Sequence, residues 1–276
     1  MEMQVVPFIK MHGLGNDYVY IDCFPQTTTS VLAQTDLAAL ARRMSDRHFG
    51  IGSDGLVLIL PDTKADAYMR MFNADGSEAQ MCGNAIRCVG KYLFESGLCH
   101  KPQMQIATRA GLRTIDLHVE GGNVEQVTVN MWIPKITQNI ITIDKITRAF
   151  VSVNMGNPHA VFFCNSLPIE NFAALGEQIG THSLFPEGTN VEFVSVRNDK
   201  ELDLRVWERG TGETLACGTG ACAAAVAAIW LGKSQHNIMV HLRGGDLAVR
   251  WDSDYSPVFM TGPATEVFHG EYFIYH

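Results

Sequence analysis

Between residues 67 and 72 the chain reads AYMRMF, and between 202 and 208 it reads LDLRVWE. In both, apolar and polar side chains alternate with the period of a strand that buries one face. A turn-rich segment follows each (NADGSE, RGTGE), then Cys-Gly, then a run that is apolar at nearly every position (AIRCVGKYLFES, GACAAAVAAIWL) and stops at a glycine. Runs of that kind predict two helices enclosed by sheet rather than laid on a surface. Asn84 and Thr219 are the expected N-caps. Elsewhere MQIATRA, RTIDLHVEG, QVTVNMWI, NIMVHL, LAVRW and EYFIYH predict strands, separated by Gly, Asn and Asp turns.

The two alternating stretches belong to a repeat. An offset of 135 residues lays Arg70 on Arg205, Phe72 on Trp207, Glu78 on Glu213, Cys82-Gly83 on Cys217-Gly218 and Gly97 on Gly232. The matches fall where local structure changes. GLGNDYVYID near the start resembles GNPHAVFFC at 156–164, and GIGSDGLVLIL resembles PEGTNVEFVSV at 186–196; each is a glycine-containing turn that feeds an apolar strand. The fold class expected is α/β (α+β), with two pseudo-symmetric homologous domains, each a mainly antiparallel sheet curled around one central helix. The N-terminal domain is expected over 1–127, completed by a final strand within 264–276, and the C-terminal domain over 128–263.

Composition narrows the setting by exclusion. A chain of 276 residues, 46% hydrophobic and 18% charged, is large enough for two cores without a disulfide or metal staple. A net charge of −8 without any basic run argues against nucleic-acid or anionic-membrane partners. The longest apolar run, ACAAAVAAIWLG, is too short to span a bilayer, and MEMQVVPFIK lacks the regions of a signal peptide. Seven cysteines without a CxxC pair are the thiols of a reducing compartment, so a cytoplasmic protein is expected.

A cysteine just ahead of a helix meets the free amides of its first turn, which form an anion site and favour the thiolate. Two such turns suit one reaction: a thiolate removes the α-proton of a carboxylate substrate, and an opposing thiol returns a proton to the other face. The carboxylate, held by helix amides, is where carbanion charge is stabilised. Inversion of a stereocentre then needs no cofactor. Cys23, Cys88, Cys99, Cys164 and Cys222 read as small structural side chains, since only Cys82 and Cys217 stay in register with the repeat. Cys82-x5-Cys88 and Cys217-x4-Cys222 lack zinc spacing, so no metal is expected. GLGNDY lacks the third glycine of a dinucleotide site.

FIKMHGLGNDYVYID, FNADGSEAQMCGNAIRC, GNPHAV, GTNVEF and ERGTGETLACGTGACA together resemble the diaminopimelate epimerase family over essentially the whole chain. The resemblance implies a two-cysteine epimerase, independent of pyridoxal phosphate, that interconverts LL- and meso-diaminopimelate in lysine and cell-wall synthesis. It further implies a site at the interface of the two domains, often in a homodimer. At matching positions it makes Cys82 and Cys217 the acid/base pair, and Gly83, Asn84, Gly218 and Thr219 the donors to the reacting carboxylate. Asn16, Asn73, Asn157, Asn190 and Arg209 would grip the substrate, chiefly at its distal amino acid end. Glu208 would receive the reacting amino group, and Glu208 and His159 would assist the thiols. Two departures stand out: Ala85-Ile86 replace the family's usual Gly-Ala, and Gly55 stands where many members have a Gln. A racemase of histidine or another amino acid on the same fold, and a thiol-based redox or binding protein, are the alternatives. A proline racemase is disfavoured because its first motif carries His where this chain has Asn84.

Overall fold

The computed structural model describes residues 3–167 and 170–275. Met1, Glu2 and His276, which fall in the expected terminal segments, lie outside the described residues. The chain divides into two compact units, Met1–Val129 with Pro263–His276, and Asn130–Gly262.

The first unit runs β1 (Met3–Gly13), β2 (Asn16–Asp22), α1 (Gln26–Leu32), α2 (Leu37–Ser45), β3 (Gly55–Leu60), β4 (Ala67–Asn73), β5 (Glu78–Ala79), α3 (Gly83–Glu95), β6 (Gln103–Ala107), β7 (Arg113–Glu120) and β8 (Asn123–Asn130). The second runs β9 (Lys135–Ile143), β10 (Ile146–Asn154), β11 (Pro158–Phe163), α4 (Phe172–Gly180), β12 (Asn190–Asn198), β13 (Glu201–Glu208), β14 (Gly212–Glu213), α5 (Gly218–Trp230), β15 (Asn237–Leu242), β16 (Gly245–Arg250) and β17 (Phe259–Gly262). The chain then returns to the first unit as β18 (Thr265–Tyr275), antiparallel to β1.

Each unit builds the same ladder. In the first, the order is β18-β1-β2-β3-β4-β6-β7-β8, with β2–β3 and β4–β6 parallel and the other pairs antiparallel. In the second it is β9-β10-β11-β12-β13-β15-β16-β17, with β11–β12 and β13–β15 parallel. The register repeats as well. Tyr18 lies opposite Gly55 in the first parallel pair, and His159 opposite Asn190 in its counterpart. Each parallel pair needs a crossover, and the second crossover of each unit carries its central helix, α3 or α5.

The central helices differ in how fully they are enclosed. Every residue from Gly220 to Ala228 of α5 is buried, whereas α3 leaves Lys91, Tyr92 and Glu95 at least partly accessible. Both begin at the cysteine: Cys82 (φ −134°, ψ 124°) and Cys217 (φ −115°, ψ 110°) are the N-caps. Asn84 and Thr219 are therefore not caps but second helical residues, and their side chains are released for other partners. Both helices end as expected, with a single C-cap residue, Ser96 or Leu231, before Gly97 (φ 76°) or Gly232 (φ 65°), a left-handed conformation that glycine adopts without a Cβ penalty.

The outer faces of the sheets are covered by helices the apolar pattern did not single out. In the first unit Leu32 of α1 and Leu40, Ala41 and Met44 of α2 pack on Val19, Ile21, Leu56, Leu58 and Phe72. In the second, Phe172 and Ile179 of α4 pack on Phe150, Phe162, Val191 and Phe193. With a helix on each side, β3 and the first half of β12 are buried on both faces and read as unbroken apolar runs. The mixed α+β architecture, two like halves each with a sheet around a helix, is as the sequence predicts.

The aligned Arg, aromatic and Glu positions of the repeat form one motif twice. Arg70 Nε and Nη2 donate to Glu78 Oε1 and Oε2 at 2.9 and 3.2 Å; Arg205 does the same to Glu213 at 2.9 and 3.1 Å. Phe72 pairs with Glu78 across β4–β5, as Trp207 does with Glu213 across β13–β14. A second arginine reaches each glutamate, Arg109 at 3.5 Å and Arg243 at 3.2 Å. These forks fix the turn that delivers the chain to each cysteine.

Candidate active site

In the first unit the turn between β1 and β2 brings Asn16 to the start of α3. Cys82 Sγ donates to Asn16 Oδ1 at 3.4 Å, and Asn84 Nδ2 donates to the same oxygen at 3.3 Å. The amide is oriented from behind, because Asn16 Nδ2 donates to Asp54 Oδ2 at 2.8 Å. Asp54 is in turn paired with Arg47 at 2.9 Å, and Arg47 also holds Asp17, which takes the buried Lys10. Arg87 lies inside α3 with no exposed surface, donating from Nη1 to Gly83 O at 3.2 Å and Asn84 Oδ1 at 2.9 Å. Gly13 leaves room for it: a Cβ there would meet Arg87 Nη2 at 2.7 Å. Arg87 and Asp54 were not singled out from the sequence. The signal for Arg87 was the single charge in the first eight residues of α3, where Lys91 and Glu95 do not yet enter.

Asn73 stands apart from this cluster. It is exposed at the end of β4, and its Nδ2 donates to Ser77 Oγ at 2.9 Å. Gly55, one of the two departures noted in the sequence, is sealed against any side chain, since a Cβ would lie 2.1 Å from the carbonyl oxygen of Phe72 and 2.9 Å from Tyr18. Ala85 and Ile86, the other departure, are buried helical residues, and the Ile86 amide donates to Cys82 O at 3.0 Å, so the first turn of α3 closes normally.

In the second unit four of the expected residues form a chain. His159 Nε2 is 3.0 Å from Asn157 Oδ1; Asn157 Nδ2 donates to Thr219 Oγ1 at 3.4 Å; Thr219 Oγ1 is 3.5 Å from Cys217 Sγ. Asn190 is used structurally at both ends of its amide, donating from Nδ2 to Pro158 O at 3.0 Å and accepting the Arg209 amide at 2.9 Å. That second bond places Arg209 on the turn after β13, with its exposed guanidinium donating to Glu187 O at 3.0 Å. Glu208 Oε1 accepts from Thr214 Oγ1 at 2.5 Å.

The electrostatics at Cys217 reverse one expectation. The helix end was expected to lower the thiol pKa; instead burial pushes it well up, and the Glu208 and Glu192 carboxylates push it further. Thr219 and the Gly220 amide pull the other way without winning. A sulfur with only 5% of its residue's surface exposed, facing two carboxylates, keeps its proton in the resting protein. Among the described residues no cluster of three or more His, Cys, Asp or Glu is arranged to hold a metal ion. Nor is any helix among them long and apolar enough to cross a membrane.

Comparison with known proteins places these features in a family. A sequence profile described as diaminopimelate epimerase matches residues 8–135 and 151–267. The diaminopimelate epimerase of Acetivibrio thermocellus is 46% identical over 278 aligned positions, covering 96% of this chain and 97% of that protein. That of Pelotomaculum thermopropionicum is 46% identical over 279 positions, covering 96% and 98%. Among solved structures, a hydroxyproline epimerase from Agrobacterium vitis with bound trans-4-hydroxy-L-proline superposes with a TM-score of 0.72 at 16% identity, over 99% of this chain and 92% of that one. At that identity the likeness speaks for the fold alone. The near full-length matches in sequence decide the matter: the chain belongs to the diaminopimelate epimerase family.

Proposed function

We propose that the protein interconverts LL- and meso-2,6-diaminopimelate by moving protons between the substrate's α-carbon and two cysteines, Cys82 and Cys217. The observation that carries this reading is the thiol at the N-cap of the central helix in both units, at equivalent places in the repeat. One sulfur, as thiolate, takes the α-proton as the C–H bond breaks. The other, as thiol, gives its proton to the opposite face, and the two cysteines end with exchanged protonation states. The substrate carboxylate takes the first-turn amides of Gly83, Asn84, Gly218 and Thr219, where charge develops in the carbanion.

The electrostatics at Cys217 give the amino group a second role. A substrate ammonium against Glu208 neutralises one of the two carboxylates that hold the thiol protonated, so binding itself makes Cys217 easier to ionise. The distal amino acid end is read as bound by Arg209, whose fork suits a carboxylate, together with Asn16, Asn73 and Asn157, while Asn190 is read as serving it by holding the Arg209 backbone. Among the described residues, hydrogen bonds link His159 to the sulfur through Asn157 and Thr219, so it is read as assisting from behind. In keeping with the family, the protein is read as a cytoplasmic homodimer acting in lysine and peptidoglycan-precursor synthesis.

The test is a chiral assay with LL-diaminopimelate in deuterated water. Product should carry solvent deuterium at the inverted carbon from the first turnovers while unreacted substrate stays unlabelled, because the thiol that abstracts is not the thiol that delivers. Cys82→Ala and Cys217→Ala should each stop inversion, by at least about 10³-fold, as expected when an acid/base group is lost. Inversion surviving in either variant, or histidine turned over as fast as diaminopimelate, would sink the proposal.

A further inference from the structure

Behind Cys217 lies a carboxylate that meets neither the substrate nor the transferred protons in the proposed reaction, and so far acts only by its charge. Glu192, the third residue of β12, has no exposed surface, and neither has His159 of β11. Glu192 Oε1 and His159 Nδ1 are 2.6 Å apart, while Glu192 Oε2 has no hydrogen-bond partner among the described residues. The carboxylate also presses on the start of α5. A Cβ on Gly220 would lie 3.0 Å from Glu192 Oε1 and 3.3 Å from Cys217 Sγ, so glycine at that position lets carboxylate and sulfur share one small space.

The hydrogen-bond pattern constrains the protons. Asn157 turns its Nδ2 to Thr219, which leaves its oxygen facing His159 Nε2, so that nitrogen carries a proton. The opposite nitrogen faces a carboxyl oxygen. Two arrangements satisfy both contacts, an imidazolium beside a carboxylate or a neutral imidazole beside a carboxylic acid, and both leave Nε2 protonated. A histidine without Glu192 is free to take the other tautomer, which would set a lone pair against the Asn157 oxygen, turn the amide over and reverse what Asn157 offers Thr219. The bare Oε2 fits a single proton shared by the pair, since a full charge with one unsolvated oxygen is costly to bury. Charged and titratable groups approach Glu192 from three neighbours: His159 from β11, Glu208 from β13 and Cys217 from α5. The fourth, α4, carries only the exposed Glu177.

We propose that Glu192 is a positioning residue of the candidate site: it fixes the tautomer of His159 and, through Asn157 and Thr219, the hydrogen-bond pattern met by the Cys217 sulfur. This rests on the reading of Cys217 as an acid/base group. The experiment pairs kinetics of Glu192→Gln, which keeps the side chain's shape, with ¹⁵N and ¹H spectra of the histidine side chains in the wild-type protein and the variant. In the wild type, the spectra should show His159 carrying a proton on Nε2, which both arrangements of the pair require. Its Nδ1 should show a low-field shared proton that disappears in the variant. In Glu192→Gln, kcat should fall about 10- to 100-fold with KM changed less than about threefold. That is less than the ~10⁴-fold lost when a histidine-orienting carboxylate serves the base directly, because here two side chains intervene. An unprotonated Nε2 in the wild type overturns the proposal even if the variant fails to fold. So does a variant with wild-type kcat in a protein where Cys217→Ala is inactive. If Cys217→Ala keeps full activity, the functional reading fails instead, and the spectra still decide the tautomer.

Discussion

Cys217 can lose its proton only against burial and the pull of Glu208 and Glu192, and that makes a prediction at the scale of single residues. Glu208→Gln removes one negative charge facing the sulfur, so the thiolate is favoured and the pH at which Cys217 becomes alkylated should fall relative to wild type. Epimerisation should fall too, because the substrate's amino group loses its partner; iodoacetamide labelling resolved by peptide mapping reads the first effect and the chiral assay the second. Cys23 and Cys88, pushed by burial to about 12 and about 11, should stay unlabelled at neutral pH in the same experiment. The two central cysteines were legible from the sequence because the repeat holds only those two in register. Glu192 was not, although a lone carboxylate in the apolar run NVEFVSV is a signal of the same kind as Arg87 in its helix. The asparagines gave the opposite problem. Asn stands in turns for many reasons, and only the folded chain separates Asn16, bonded to the thiol, from Asn73, bonded to its own turn.

At the scale of elements, the doubled Arg–Glu fork makes each unit sensitive to acid. Arg70 holds the Glu78 carboxyl below its ordinary value; at Glu213 burial works the other way, but Arg205 and Arg243 outweigh it. A lowered carboxyl pKa stabilises the fold above the ordinary glutamate range, and that stabilisation fades as pH falls through it. Glu213→Gln should therefore cost about 1–2 kcal/mol at pH 7 and progressively less as pH falls below the ordinary glutamate range, read from urea midpoints. Glu78→Gln should cost nearer 0.5–1 kcal/mol, since Arg70 is 37% exposed and more screened than Arg205 at 20%. The sequence made the strands and central helices plain because their period and glycine stops agree. It concealed α1, a Thr-rich seven-residue helix, and α4, which contains glycine and has no side-chain cap. Only α2 carried a readable start, with Asp36 accepting from the amides of Ala38 and Ala39. The N-cap positions were misplaced by two residues because Asn and Thr are common caps, whereas here the cysteines take that place.

For the whole molecule, the ladders show that β18 stands to the first unit as β9 stands to the second: each is the outermost strand beside β1 or β10. Ile274 of β18 is buried in the same core as Val6 and Phe8. Deleting residues 264–276 should therefore unfold the first unit while the second keeps its strands, a loss that circular dichroism and limited proteolysis would register as a protected fragment near 130–262. Intact protease resistance of residues 3–129 in that truncation would contradict it. The same pairing has a consequence for how the protein is made. On the ribosome β1 emerges some 250 residues or more before the strand it pairs with, from His12 opposite Thr265 to Met3 opposite Tyr275. The second unit is contiguous in sequence and all of it has been translated by then. Nascent chains usually fold from the N-terminal domain onwards; in this protein the half begun first is finished last, and an open edge of β1 waits through most of translation for its partner.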